Sequence, residues 1–256
     1  MNPLDVRLMN ALTAVLMLAF AAMALVLALH HLARQPAFAL QKIQIDSELI
    51  HNNAVTLRAN VAPKLTGNFF TVNLEQAKSA FEAVPWVRQA VVRREFPNRL
   101  RVQLQEHQAV ALWGLDDEVR LINHLGEVFE VNQGDVEAES LPRLAGPRAQ
   151  SALVLQAYRE LAPLWGGLDA ELALLELTGR GGWRARLDSG AMIEIGPGSV
   201  QDIVQRVRRF VATVSQTSSR FGRNIESADL RYPNGYALRL RGVTTVDGDK
   251  ASKTIR

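Results

Sequence analysis

Apolar and polar positions change rhythm several times along this chain. From Leu8 to Leu29 there are 22 consecutive uncharged residues, of which Asn10 and Thr13 are the most polar. As a helix rising ~1.5 Å per residue this run covers about 33 Å, enough for a hydrocarbon core of about 30 Å. A transmembrane helix is therefore expected over 8–32. The competing reading is a cleaved signal peptide, for which Ala37-Phe38-Ala39 offers a small-x-small site. A signal's apolar region is only about 7–15 residues long, however, and the residues before this run carry only Arg7 against Asp5, so the anchor is preferred. Arg7 on one side faces Arg34 and Lys42 on the other, so the Lys/Arg bias leaves the orientation open.

Beyond the anchor the rhythm shortens. Phe38 and Leu40, then Ile43 and Ile45 after a one-residue slip at Gln41-Lys42, alternate with polar or small neighbours and predict a bulged strand. A short helix follows through Val55 to Val61, stopped by Pro63. Asn73 with Gln76 three residues on has the form of a capping box, and Leu74, Ala77, Phe81 and Val84 then share one helical face until Pro85. Val87–Arg94 and Arg99–Glu106 predict two strands around Pro97-Asn98, with Leu100, Val102 and Leu104 alternating against Arg99, Arg101 and Gln103. The order over 38–107 is strand, helix, helix, strand, strand, the size of one small domain.

A second unit, 108–242, has its first landmark at Trp113. Strands are expected at Arg120–Ile122 and Glu127–Val131 around His124-Leu125-Gly126, followed by an acidic loop over Gln133–Glu139. Leu153, Ala157, Leu161 and Leu164 mark a helix that Gly166-Gly167 ends, and Trp183–Leu187 and Ala191–Ile195 form two strands across Asp188-Ser189-Gly190. An amphipathic helix comes next, capped by Ser199, with Val200, Ile203, Val204, Val207, Phe210, Val211 and Val214 as its buried stripe and Arg206 and Arg209 on its solvated face. Tyr232–Leu240 is the final strand. Tyr236, Leu238 and Leu240 share one face and Ala237, Arg239 and Arg241 the other, and the strand precedes a polar tail over 243–256, so an exposed sheet edge is expected there. The elements add up to an α+β chain with one membrane anchor and a mixed α/β second domain. There is no internal repeat.

Composition narrows the chemistry. Of 256 residues 48% are apolar and none is Cys, which removes disulfides, Cys-ligated metals and thiol nucleophiles. The net charge of +3 conceals an asymmetry: residues 1–179 hold 15 Lys and Arg against 19 Asp and Glu, whereas residues 180–256 hold 14 against 7. A basic last third suits nucleic acid, anionic lipid or an acidic protein segment.

The residues also carry a recognisable pattern. Pro85-Trp86-Val87, then Arg93-Arg94-Glu95-Phe96-Pro97-Asn98-Arg99-Leu100, Glu106, Ala111-Leu112-Trp113, and Ala228-Asp229-Leu230-Arg231-Tyr232-Pro233-Asn234-Gly235-Tyr236-Ala237 resemble the FtsQ/DivIB family of bacterial cell-division proteins over nearly the whole chain. The resemblance implies that 38–107 is a POTRA domain and 108–242 the partner-binding β domain. It also implies an inner-membrane protein at the division septum, with residues 1–7 cytoplasmic and both domains periplasmic. Its implied partners are the small coiled-coil division proteins FtsB and FtsL, with other membrane division proteins meeting the POTRA domain. Tyr232, Asn234, Gly235 and Tyr236 are then expected to contact the partner, and Arg180 and Arg231 its acidic groups.

Catalytic readings find little support in the sequence. His30, His31, His51, His107 and His124 lack metal-ligand spacing, and Asp116-Asp117-Glu118 reads as a solvated turn. Gly179, Gly181 and Gly182 lack both the third glycine of a dinucleotide loop and a P-loop Lys, and there is no Gly-x-Ser-x-Gly elbow. The expectation is a non-enzymatic scaffold without a cofactor. A membrane-tethered cell-wall enzyme or envelope regulator is the alternative, and it would need a carboxylate pair or metal site. A cytoplasmic nucleic-acid binder would need the opposite topology, and aromatics interleaved with the basic cluster beyond Trp183, Tyr232 and Tyr236.

Overall fold

A computed structural model describes residues 3–33, 35, 38–115, 120–131, 141–221 and 225–242. The acidic stretches 116–119 and 132–140, and the tail beyond 242, lie outside these residues. The chain divides into two compact units, Met1–His107 and Gln108–Arg256.

The first unit begins with helix α1, Pro3–Ala33, whose segment Met9–Ala28 is long and apolar enough to cross a membrane and is not buried in the protein. The remainder is a three-stranded sheet in the order β1-β3-β2, built from β1 (Lys42–Ile45), β2 (Val87–Glu95) and β3 (Arg99–Glu106), with helices α2 (Ala54–Val61) and α3 (Leu74–Glu82). β1 runs parallel to β3, pairing Lys42 with Arg99 and Ile45 with Val102, whereas β2 and β3 form an antiparallel hairpin. The predicted alternation in β3 holds, because Leu100, Val102 and Leu104 are buried and Arg99, Arg101 and Gln103 are exposed. They join Leu57, Val61, Ala77, Phe81, Val87 and Ala90 in the core, and Asn73 caps α3 by accepting from the Glu75 and Gln76 amides. The first strand is shorter than expected. Phe38 lies in a tight turn and Ala39 bridges Asn68, so the chain at 38–40 pairs with a loop and joins the sheet only at Lys42. α2 passes Pro63 as a short 3-10 turn, Ala62–Lys64.

The Pro85-Trp86-Val87 motif makes the reversal from α3 into β2. Trp86 has φ +70°, a left-handed conformation costing an L residue roughly 1–2 kcal/mol, and packing holds it there. The indole is buried and stacks on His51 with centroids 3.7 Å apart. Beside it, the Glu106 carboxylate accepts from the amides of Ile50 (2.8 Å), His51 (3.1 Å) and Asn52 (3.0 Å) and from Asn52 Nδ2 (2.9 Å).

The second unit is a nine-stranded mixed sheet in the order β12-β11-β10-β9-β8-β7-β4-β5-β6. Its strands are β4 (Ala109–Trp113), β5 (Arg120–Asn123), β6 (Val128–Glu130), β7 (Arg143–Ala145), β8 (Leu172–Leu177), β9 (Gly182–Leu187), β10 (Met192–Pro197), β11 (Ile225–Asp229) and β12 (Ala237–Leu240). Helices α4 (Ser151–Leu161) and α5 (Val200–Phe221) pack on the sheet and on each other. Strand β9 buries Trp183, Ala185 and Leu187 and turns Arg184 and Arg186 to the other face. The α5 stripe is as predicted, with Val211 partly exposed, and Ser199 caps it reciprocally with Asp202.

Four expectations need correction. Strands β4, β7, β8 and β11 occupy segments without a predicted strand. The α4 stripe holds at Ala157 and Leu161 but not at its start, where Leu153 is 39% exposed and Val154 and Leu155 face the core instead. The last strand spans only Ala237–Leu240, and Tyr232–Tyr236 form a turn and loop before it. Arg206 is half-buried rather than solvated, because its Nη1 donates to the Ile195 and Pro197 carbonyls at 3.1 and 2.7 Å.

Candidate functional site

The C-terminal end of the sheet brings together most of the residues singled out in the sequence. β11 is hydrogen-bonded on one side to β10 in parallel and on the other to β12 in antiparallel, pairing Asp229 with Ala237 and Ala228 with Leu238. β12 ends the strand order, so one of its sides has no neighbouring strand among the described residues. Such an edge presents unpaired backbone donors and acceptors.

The loop over 230–236 stands at the head of this edge. The Leu230 amide donates to the Glu194 carbonyl at 2.8 Å, which ties the loop to the middle of β10. Arg231 grips Asp229 bidentately, Nε to Oδ1 at 2.9 Å and Nη2 to Oδ2 at 2.6 Å, and its backbone amide donates to Oδ1 at 3.1 Å. This pairing holds the Asp229 carboxyl below its usual range and pushes the Arg231 guanidinium above its own, so both stay charged. The Arg231 stem lies over Gly196, which has φ +90° and where a Cβ would come within 2.7 Å of Arg231 Cγ. A side chain at 196 would collide with the arginine's base, so this glycine lets Arg231 lie flat.

Tyr232 is 56% exposed and opens the turn at 232–234 that joins β11 to β12. Tyr236 is half-buried and meets Phe210 of α5 edge-to-face with centroids 5.0 Å apart. Arg209 Nη1 donates to the Pro233 carbonyl at 3.3 Å. Between α5 and the loop lies an open cavity of about 300 Å³, lined by Arg206, Arg209, Phe210, Thr213, Leu230, Tyr232, Asn234, Gly235 and Tyr236. It combines an apolar floor with a cationic wall, a combination suited to a side chain that is apolar or carries a carboxylate.

Arg180 is exposed in the Thr178–Gly182 turn between β8 and β9. Since Gly182 pairs with Pro197, and Glu194 with Asp229, this turn and the loop share one end of the sheet, two strand spacings or about 10 Å apart. Arg231, Tyr232, Asn234, Gly235 and Tyr236 thus form one surface, and Arg180 stands aside from it. Gly196, Arg206, Arg209 and Phe210 were absent from the sequence-level site. The i, i+3 spacing of Arg206 and Arg209 was visible, but the sequence does not tell which carbonyls lie beside them. Among the described residues there is no group of three or more His, Asp or Glu side chains that could hold a metal ion.

Comparison with known proteins identifies the family. The family model described as cell division protein FtsQ/DivIB, C-terminal, matches residues 111–231, and the POTRA domain, FtsQ-type, matches residues 38–107. The chain belongs to the FtsQ/DivIB family of cell-division proteins. It is 41% identical to the cell division protein FtsQ of Burkholderia pseudomallei over 95% of both chains. It is also 38% identical to those of Thiomonas arsenitoxydans, over 98% of this chain and 93% of the relative, and of Bordetella pertussis, over 92% of both. The 38–107 module is thus a POTRA domain, and α1 is consistent with a membrane anchor.

Proposed function

We propose that this FtsQ-family protein is a non-enzymatic scaffold of the division machinery, held in the inner membrane by α1 with residues 1–7 in the cytoplasm and both folded units in the periplasm. Its partner-binding surface is the free edge of β12 together with the loop 231–236, and it gathers small coiled-coil division proteins of the FtsB and FtsL type at the septum. The observation that carries this reading is the position of β12 at the end of the strand order, beside an exposed tyrosine and an arginine. An incoming chain can add a strand there, with main-chain hydrogen bonds supplying affinity and the flanking cavity supplying choice. In this reading Arg231, although already paired with Asp229, and the more distant Arg180 meet acidic groups on the partner, in keeping with the basic last third of the chain.

Tyr232→Ala and Arg231→Glu, assayed for affinity to an FtsB–FtsL complex with the full chain in detergent, test the surface. Tyr232 is mostly exposed, so its truncation should shift folding stability by less than about 0.5 kcal/mol. As an interface anchor worth about 2 kcal/mol it should weaken binding roughly thirtyfold. Undiminished affinity in both variants would move the binding surface elsewhere. A periplasm-only reporter fused after Arg256 should be active, and a silent one would overturn the orientation.

A further inference from the structure

The motif Arg93–Leu100 has no part in the β12 surface, and its structural setting suggests a use. Four phenylalanines gather at one end of the POTRA domain in a continuous chain of ring contacts. Phe38 meets Phe70 edge-to-face at 4.9 Å, Phe70 meets Phe69 at 5.2 Å, and Phe69 meets Phe96 at 6.0 Å. They come from three separate segments that the backbone ties together. The Phe69 amide donates to the Phe38 carbonyl at 2.9 Å, and the Gln41 amide donates to Asn98 at the β2–β3 hairpin tip at 3.0 Å. The cluster is not core, since Phe70 is 50% and Phe96 71% exposed.

Cationic residues lie on the segments that carry these rings. Lys42 and Arg99 pair across β1 and β3 at this same end and both are exposed. Arg94 donates to the Val72 carbonyl at 2.7 Å, on the loop that carries Phe69 and Phe70. The nearby carboxylate, Glu95, is engaged by Arg101 at 3.0 Å. Exposed aromatic rings with Lys and Arg on the adjoining strands suit an interface whose outer layer is phosphate and whose inner layer is hydrocarbon.

Covalent geometry brings such an interface close. The five residues that follow Ala28, up to Ala33, add about 8 Å of helix, roughly the thickness of the polar layer beyond the hydrocarbon on one side. Phe38 follows only five residues after Ala33 and so lies at most about 18 Å from the end of α1. A tether this short keeps the aromatic end at millimolar-scale effective concentration next to the lipid. We propose that Phe96 and Phe70 dip into the leaflet from which the C-terminal end of α1 emerges, with Lys42, Arg94 and Arg99 meeting lipid phosphates, so that the POTRA domain rests on the membrane. This rests on the reading of α1 as a membrane anchor.

The absence of native Cys makes a single-label test clean. The full chain is reconstituted into phosphatidylethanolamine–phosphatidylglycerol nanodiscs. An environment-sensitive fluorophore is attached through Phe96→Cys or, as control, through Gln89→Cys, an exposed site about 20 Å back along β2. Co-elution with the disc reports the anchor separately from docking. The expected result is strong quenching by spin-labelled lipid at position 96 and little at 89, with Phe70→Asp lowering the quenching at 96. Equal quenching at both positions overturns the proposal. So does a label at 96 that is shielded from water yet unquenched, which would indicate a protein covering the rings.

Discussion

Replacing Gly196 by Ala should damage the candidate site from beneath while leaving its surface residues unchanged. At φ +90° an added Cβ costs roughly 1–2 kcal/mol in backbone strain. The steric term adds to this, because Cβ at 196 would lie 2.7 Å from Arg231 Cγ, close to the main chain, where the side chain cannot simply swing its far end away. Relief requires Arg231 to leave its bidentate seat on Asp229. With a urea m-value near 2 kcal/mol/M, a loss of about 1–2 kcal/mol lowers the unfolding midpoint by roughly 0.5–1 M. Gly235→Ala is the matched control: nothing lies within 4 Å of its added Cβ. Its midpoint should stay within experimental error, so any loss of partner affinity in that variant belongs to the interface and not to folding. Equal midpoints for Gly196→Ala and the parent protein would refute the view that Arg231 is held over a glycine floor.

Val102→Asp places a carboxylate at a fully buried position of β3 and should cost about 4 kcal/mol or more, read as loss of the POTRA domain's thermal transition; an unchanged transition would invert the face assignment. Glu106 gives a pH signature: burial pushes its carboxyl up, but the amides of Ile50, His51 and Asn52 and the Asn52 side chain outweigh this and hold it below its ordinary value. Its stabilisation is therefore complete above about pH 5 and fades as pH falls through the depressed folded value. Glu106→Gln should cost about 2 kcal/mol at pH 7, and its urea midpoint should converge on the parent's as the pH falls below the depressed folded value. A gap that persists in acid would show that the charge is not what holds the 50–52 loop.

The elements legible in the sequence were those whose own periodicity matched their burial. α3, the β2–β3 hairpin and α5 each bury one face and solvate the other, so period and structure coincide. β8 was missed because Leu172-Ala173-Leu174-Leu175-Glu176-Leu177 is an interior strand buried largely on both faces, with no alternation to read. β11 was missed for the opposite reason. Ile225-Glu226-Ser227-Ala228-Asp229 is nearly polar, and its pairing with β10 and β12, rather than local preference, makes it a strand. In the site, Arg231, Tyr232 and Tyr236 stood out as a motif. Gly196, which supports Arg231, lies 35 positions earlier and becomes visible only when β10 and β11 are aligned.

Amide hydrogen exchange across Ala237–Leu240, with the full chain in detergent and an FtsB–FtsL complex added, tests strand addition at β12 most directly. One side of β12 already pairs with β11, so only amides directed to the free edge should gain protection on binding, in alternation along the strand. The account predicts this alternating protection, and a smaller gain in Tyr232→Ala at a complex concentration that just saturates the parent. Saturating complex that leaves the β12 amides exchanging as in the free protein would contradict it.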